Sequence, residues 1–326
     1  MKATSGRASG LDPMTILGTA AALNAAHETG LLALLAAGPL PARECARLLR
    51  LADHPLQCVL SALVASGLLV CTDGLYMLPA DTALSTSLSP SMLGGLQEHF
   101  QYTTQLLRTG TPLPWMDNSE GQRVASYGNL VSDLGRLYTD LADFLAHKLT
   151  RQPASILDIG CGSGVWSLAV AAINDKTRVT GNDLPEVLPA FTARAQQLGL
   201  AGRISLLPGD MNKVELPTAQ FELVIIANVL RLEPAERAQR LVQRGAAALC
   251  PGGQMLIIDA LAGGTMQKEL CRTAYTLHLA LRTGLGRVHL PSDIQAWMTD
   301  AGLTQLQAID CGAQMTAIGA IWGVRQ

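Results

Sequence analysis

Residues 158–164 read Asp-Ile-Gly-Cys-Gly-Ser-Gly, with glycines at every second position between a strand-like apolar run, Ser155–Ile159, and a helical pattern, Val165–Ile173. Glycines let the chain turn sharply and approach a ligand closely, and the helix N-terminus behind them offers amide N–H groups to a carboxylate. A dinucleotide fingerprint puts its third glycine three residues after the second. Here position 165 is Val and the glycine is Gly164, a spacing that favours S-adenosylmethionine over a nicotinamide dinucleotide. Asp183, followed by Leu184, closes a second strand-like run, Arg178–Asn182, where an acid can accept from both ribose hydroxyls. After a third run, Ile204–Leu207, Gly209-Asp-Met211 offers a carboxylate for an exocyclic amine and a thioether for a ring face. The expected cofactor residues are Asp158, Gly160, Gly162 and Gly164 for the methionine part, Asp183 with Leu184 for the ribose, and Asp210 with Met211 for the adenine.

A second constellation lies on the helical stretch after the fifth strand-like run. Arg272 precedes Tyr275, His278 and Arg282, which recur at spacings of three and four and so share one helix face. That face is either a pocket wall, with His278 as an acid or base, or an exposed polar surface.

The elements that must position these groups follow from periodicity. From Ser155 onward, apolar strand-like runs (155–159, 178–182, 204–207, 222–226, 254–258) alternate with helical patterns, which predicts an open, mainly parallel sheet. Two last strands, 304–309 and 315–324, are expected as a hairpin at the sheet edge, for seven strands in all. Upstream, Asp12-Pro13 reads as a helix N-cap and first turn, and Gly30 ends that helix. Helices at 41–49 and 54–66 and a hairpin turning at Asp73-Gly74 then outline a winged helix-turn-helix. The helix 54–66 has no Lys or Arg, so a dimerisation or substrate-lid role is expected for this unit rather than DNA reading. The expected division is a loose arm (1–10), a winged-helix-like dimerisation domain (11–90), a helical linker and pocket wall (91–150, with helices at 96–107 and 130–149) and a catalytic domain (151–326).

Composition narrows the class. A chain of 326 residues with 48% hydrophobic and 15% charged residues can bury two cores, and a net charge of −2 leaves no surplus of cations for nucleic acid or an anionic membrane. The apolar stretch 14–38 is interrupted by Asn24, His27, Glu28 and Gly30, so no membrane span is expected. Seven dispersed cysteines without a CxxC pair point to reduced, mostly buried thiols in the cytoplasm, and to no metal site.

The motifs Leu157–Gly164, Asn182-Asp-Leu-Pro185, Gly209–Met211 and Pro251-Gly-Gly253 resemble those of class I S-adenosylmethionine-dependent methyltransferases. The nearest likeness is to the plant-type small-molecule O-methyltransferases and their bacterial branch, including the bacteriochlorophyll ring C-methyltransferases. The resemblance covers residues 12–326 and implies an α/β fold. Its parts would be a Rossmann-like seven-stranded methyltransferase sheet and an N-terminal α-helical winged-helix dimerisation domain, assembled as homodimers whose partner chain helps close the pocket. It further implies that Tyr138, with Tyr127 and Asn129 nearby, contacts the methionine end of the cofactor. Plant-type members carry a general-base His after the fourth strand. In this chain the stretch reads Asn228-Val-Leu-Arg-Leu-Glu-Pro234, so Arg231 holds that place.

A guanidinium is no base near neutral pH, but it binds a carboxylate or enolate through two parallel hydrogen bonds. The resulting expectation is a methyltransferase of secondary metabolism acting on a small molecule, with Asn228 and Arg231 facing the acceptor, and Arg231 and His278 the catalytic candidates. Two alternatives stand beside it. One is an enzyme on this fold that cyclises the aminocarboxypropyl chain of S-adenosylmethionine or uses its charge in a rearrangement; the other is a winged-helix regulator that senses the same molecule.

Overall fold

A computed structural model describes residues 12–80, 85, 87–113, 131, 135–149, 151–261, 266–309, 311 and 318–326. The chain forms two compact units, one up to Glu98 and one from His99 onward.

The first unit opens with α1 (Pro13–Glu28), whose N-cap Asp12 accepts hydrogen bonds from the Met14 and Thr15 amides. Gly30, in the left-handed region at φ 77°, ends it and starts α2 (Leu31–Ala36). Then follow β1 (Leu40–Pro41), α3 (Ala42–Leu49), α4 (Asp53–Ala65), β2 (Val70–Thr72) and β3 (Leu75–Met77). The three strands form a small antiparallel sheet in the order β1-β3-β2. Leu31, Leu35, Cys45, Leu60 and Leu63 are at its core.

α5 (Pro90–Gln101) and α6 (Thr103–Thr109) take the place of the one helix expected at 96–107. Of the helix expected at 130–149, residues 131 and 135–137 are helical, and after a break at Tyr138 α7 (Thr139–Lys148) follows.

The second unit is an α/β sheet of seven strands. In chain order these are β4 (Ser155–Ile159), β5 (Arg178–Asp183), β6 (Ile204–Pro208), β7 (Phe221–Ala227), β8 (Leu249–Ala260), β9 (Leu303–Ile309) and β10 (Ile318–Arg325). Their spatial order is β6-β5-β4-β7-β8-β10-β9. The first five run parallel, and β10 is antiparallel to both of its neighbours. The last two strands pair antiparallel at one edge of the sheet, as expected, with β10 on the inner side against β8 and β9 outermost. Helices α8 (Val165–Ile173), α9 (Leu188–Gln197), α10 (Ala235–Ala248), α11 (Met266–Arg282) and α12 (Pro291–Asp300) complete the unit. With a face covered by helices, a central parallel strand reads as a continuous apolar run, and four of the five residues of β4 are buried.

β4 is where the strand order reverses. Ile159 pairs with Asn182 of β5 on one side and with Ile226 of β7 on the other, so the chain leaves all three strands side by side. Ligands of open α/β sheets bind at the carboxyl ends of strands at such a switch point.

Between β5 and α9, Pro185 lies in a turn closed by the Val187 amide on the Leu184 carbonyl, and α9 begins at Leu188. The expectation of mostly buried thiols changes. Of the seven cysteines, Cys45, Cys161 and Cys311 are buried, whereas Cys58 and Cys71 are exposed and Cys250 and Cys271 are half-buried. Among the described residues no helix is long and apolar enough to cross a membrane, and no cluster of metal-ligating side chains occurs.

Candidate functional site

A cleft opens at the carboxyl ends of β4, β5 and β7. Its floor is the loop Gly160–Ser163. Around it stand Tyr138, Trp166, Asp183, Asn228 and Arg231, with Val131 and Val229 among the apolar walls.

The loop is held from below and from the side. Gly160, Gly162 and Gly164 all take positive φ, at 69°, 55° and 73°. A Cβ on Gly160 would stand 2.6 Å from a Val229 methyl, and one on Gly164 would stand 2.4 Å from the Phe191 ring, so glycine is required by close approach as well as by the turn. Asp183 carries the loop on one carboxylate oxygen, which accepts from the Gly162 amide at 2.8 Å; the other accepts from the Leu184 amide at 2.8 Å. Asn182 donates to the Leu207 and Gly209 carbonyls and ties the ends of β5 and β6 together.

Asp158 stands apart from the cleft lining. It is buried beneath the loop, where one oxygen accepts from the Ser167 hydroxyl at 2.5 Å and the other has no partner among the described residues. Burial, reinforced by the charge of Asp183 and opposed by the Ser167 hydrogen bond, pushes its carboxyl up to about 7. Its place is thus that of a support under the loop. Gly164 likewise sits behind the cleft, as the N-cap of α8. Asp210 caps a turn, accepting from the Asn212 amide, and lies 3.8 Å from the Lys213 ammonium. Met211 is buried next to Gly160, and its carbonyl accepts from Arg244. Leu184, Asp210 and Met211 all fall outside the lining of this cleft.

On the opposite wall the turn after β7 carries Asn228, at φ 59°, whose buried side-chain oxygen has no hydrogen-bond partner among the described residues. A 3₁₀ turn, Leu230–Leu232, then places Arg231. Arg231 is only 6% exposed, which removes it from the class of surface ion pairs. Its guanidinium lies 3.4 Å from the Asp259 carboxylate and 4.8 Å above the Tyr275 ring centroid, and its backbone amide donates to Asp259 at 3.1 Å.

Tyr138 is buried, stacks on Trp166 at 5.5 Å, and reaches Arg231. Burial raises its hydroxyl, although the Arg231 charge acts in the opposite direction.

Tyr275, His278 and Arg282 come together on α11, as their spacing predicts. Arg282 donates to the Tyr275 hydroxyl at 3.2 Å, and His278 meets the Tyr275 ring edge-on at 6.2 Å. His278 also lies 3.0 Å, nitrogen to nitrogen, from His99. Burial and the charges of Arg282, His99 and Arg231 hold the His278 ring down at about 2, so it is neutral across the physiological range. Arg272, also on α11, is half-buried. Tyr127 and Asn129 lie outside the described residues.

The sequence reading missed four participants. Asp259 carried a signal, an acid at the carboxyl end of the fifth strand where sites gather. Trp166 could have been found from its place two residues beyond the last glycine of the loop. His99 and Val229 carry no local signal, and only the tertiary fold brings them in.

A family model for an O-methyltransferase domain matches residues 122–304. The 3-hydroxy-5-methyl-1-naphthoate 3-O-methyltransferase of Streptomyces sahachiroi is 25% identical over 322 residues, spanning 93% of this chain and 91% of that protein. The tetracenomycin polyketide synthesis 8-O-methyltransferase of Streptomyces glaucescens is 27% identical over 319 residues, spanning 91% and 92%. Among solved structures, human N-acetylserotonin methyltransferase in complex with S-adenosylmethionine superposes with a TM-score of 0.69 over 100% of this chain and 99% of that one. At 22% identity, that likeness is one of fold.

Proposed function

This chain belongs to the O-methyltransferase domain family of S-adenosylmethionine-dependent transferases, and from that premise we propose that it methylates a small, already nucleophilic acceptor without a histidine base at position 231. The observation that carries the reading is the sharing of one cleft by the glycine loop with Asp183 and by Asn228 with Arg231.

The residues present fit the cofactor. The floor is backbone that a Cβ would fill, Asp183 stands at a strand end, and the Asn228 oxygen is buried with no partner among the described residues. The amides of Gly160–Ser163 and the Tyr138–Trp166 pair would hold the methionine end and Asp183 the ribose, with the adenine reaching beyond the cleft lining toward the Asp210–Met211 turn. Asp158 and Gly164 would act from behind, by fixing the loop. When bound there, S-adenosylmethionine supplies a methyl group on a sulfonium centre that is open to in-line attack.

What the chain adds is positioning, which alone can lower such a barrier substantially. Arg231, held by Asp259 and Tyr275, presents fixed positive charge to the acceptor. That arrangement suits an ionised phenol, an enolate-like carbon, a carboxylate or an amine, and it stabilises the ionised form of a weak acid. His278, held at about 2 and outside the lining of the cleft, is neutral and does not serve as the base for a hydroxyl. Secondary metabolism supplies the substrate class, since the Streptomyces relatives act, by their names, on a hydroxynaphthoate and in tetracenomycin polyketide synthesis.

In the same reading the N-terminal unit is a winged-helix dimerisation domain, supported by Met14, Ile16 and Leu17 exposed along α1. Sedimentation should then give a homodimer, and a stable monomer at micromolar concentration would contradict it.

Turnover tests the function. Incubation with S-adenosylmethionine and a panel of phenols, enols and amines should yield S-adenosylhomocysteine and an acceptor heavier by one methyl. Release of methylthioadenosine, or product formation without consumption of the cofactor, would replace methyl transfer by cyclisation or rearrangement.

A further inference from the structure

Two guanidinium groups are buried beside one tyrosine ring, and the carboxylates around them are unevenly shared. Arg231 has Asp259, itself 2% exposed, at 3.4 Å. Arg282 is 5% exposed, with its Cζ 5.9 Å from the centroid of the Tyr275 ring that Arg231 also covers. It donates to the Tyr275 hydroxyl, but among the described residues no carboxylate lies within 4.0 Å of it, and its buried Nε–H has no partner. The imidazoles nearby bring no negative charge. His278 and His99 are neutral near pH 7, each held low by burial first and by the Arg282 charge after it.

A buried cation without a counter-ion is costly, and a guanidinium's planar fork of donors matches the two oxygens of a carboxylate. Arg231 links this place to the cleft, because it lines the cleft while its guanidinium stands over Tyr275. Building on the methyltransferase reading above, we propose that Arg282, with Arg231 on the shared Tyr275 ring, binds a carboxylate carried by the acceptor, so that the enzyme selects carboxylate-bearing acceptors. Arg231 is already paired within the protein. Arg282 is the group that needs the anion, and it is the specificity determinant.

The test uses the full chain saturated with S-adenosylhomocysteine and a panel of hydroxybenzoates and hydroxynaphthoates, each titrated beside its own carboxamide. At least one acid should bind about tenfold more tightly than its amide, the size of one charge-assisted hydrogen bond. Arg282→Gln should abolish that preference while S-adenosylhomocysteine affinity is kept, and Arg282→Lys should restore part of it. The comparison of acid with amide on the unaltered chain depends on no variant folding. Equal binding of acids and amides, no binding by any acid, or a preference that survives Arg282→Gln would overturn the proposal. With S-adenosylhomocysteine still bound, those results leave methyl transfer standing; loss of S-adenosylhomocysteine binding by the unaltered chain would overturn both.

Discussion

Arg231→Met leaves the Asp259 carboxylate, 2% exposed, without the guanidinium 3.4 Å away and uncovers one face of Tyr275. An exposed ion pair of this kind is worth about 1 kcal/mol or less, whereas breaking a buried one typically costs about 3–5 kcal/mol, because the surviving charge stays buried. Burial already pushes Asp259 upward, with Arg231 opposing, so the variant should push it further and take up a proton there. For a unit of this size each kcal/mol moves the melting temperature by roughly 2–4 °C, which predicts a loss of roughly 6–20 °C. Adding Asp259→Asn removes the orphaned charge and should recover most of that loss, while turnover stays impaired if Arg231 faces the acceptor. Differential scanning calorimetry on the parent, both single variants and the double variant measures the coupling directly. A melting temperature for Arg231→Met within about 2 °C of the parent, a shift expected of a surface pair, would refute the buried-pair argument.

Two further outcomes follow from the cofactor loop and its support. Gly164→Ala should cost about 2–4 kcal/mol, combining left-handed strain with the 2.4 Å approach to Phe191, and should weaken S-adenosylhomocysteine binding; Gly199→Ala, at φ 70° in open space, should cost only about 1 kcal/mol. Equal losses in denaturant titrations of the two would remove the steric part of the account. Asp158, raised from 3.8 to about 7, keeps a proton in the folded state that the unfolded chain has already lost, so it subtracts stability as pH rises from about 4 to about 7. The ligand-free Asp158→Asn variant should gain on the parent across that window, by an amount on the order of 4 kcal/mol, and the gap should be level above it. Parallel melting curves from pH 5 to pH 8 would show that Asp158 does not titrate there.

The sheet and the loop were legible because their signals are local. Alternating strand and helix periods gave five parallel strands, and the glycine spacing with Asp183 at the next strand end gave the heart of the cleft. Insertion of β10 between β8 and β9 left no such trace, since strand order depends on which edge a returning chain meets. The burial of Arg231 was equally hidden, because its partners Asp259 and Tyr275 lie 28 and 44 residues further along the chain. Asp158 shows the converse. Its place in the motif suggested a ligand contact, but β4 carries it inward to Ser167, and only packing could show that it works from beneath the loop.

The claim on which the rest depends is that the cleft over Gly160–Ser163 holds S-adenosylmethionine with Asp183 as an anchor. Titration calorimetry with S-adenosylhomocysteine and with NAD, on the parent and on Asp183→Ala, tests it most directly. Binding of S-adenosylhomocysteine alone is expected, weakened about tenfold or more in the variant, which loses both the ribose acceptor and the brace on the Gly162 amide. Undiminished affinity in Asp183→Ala, or equal binding of NAD, would contradict it.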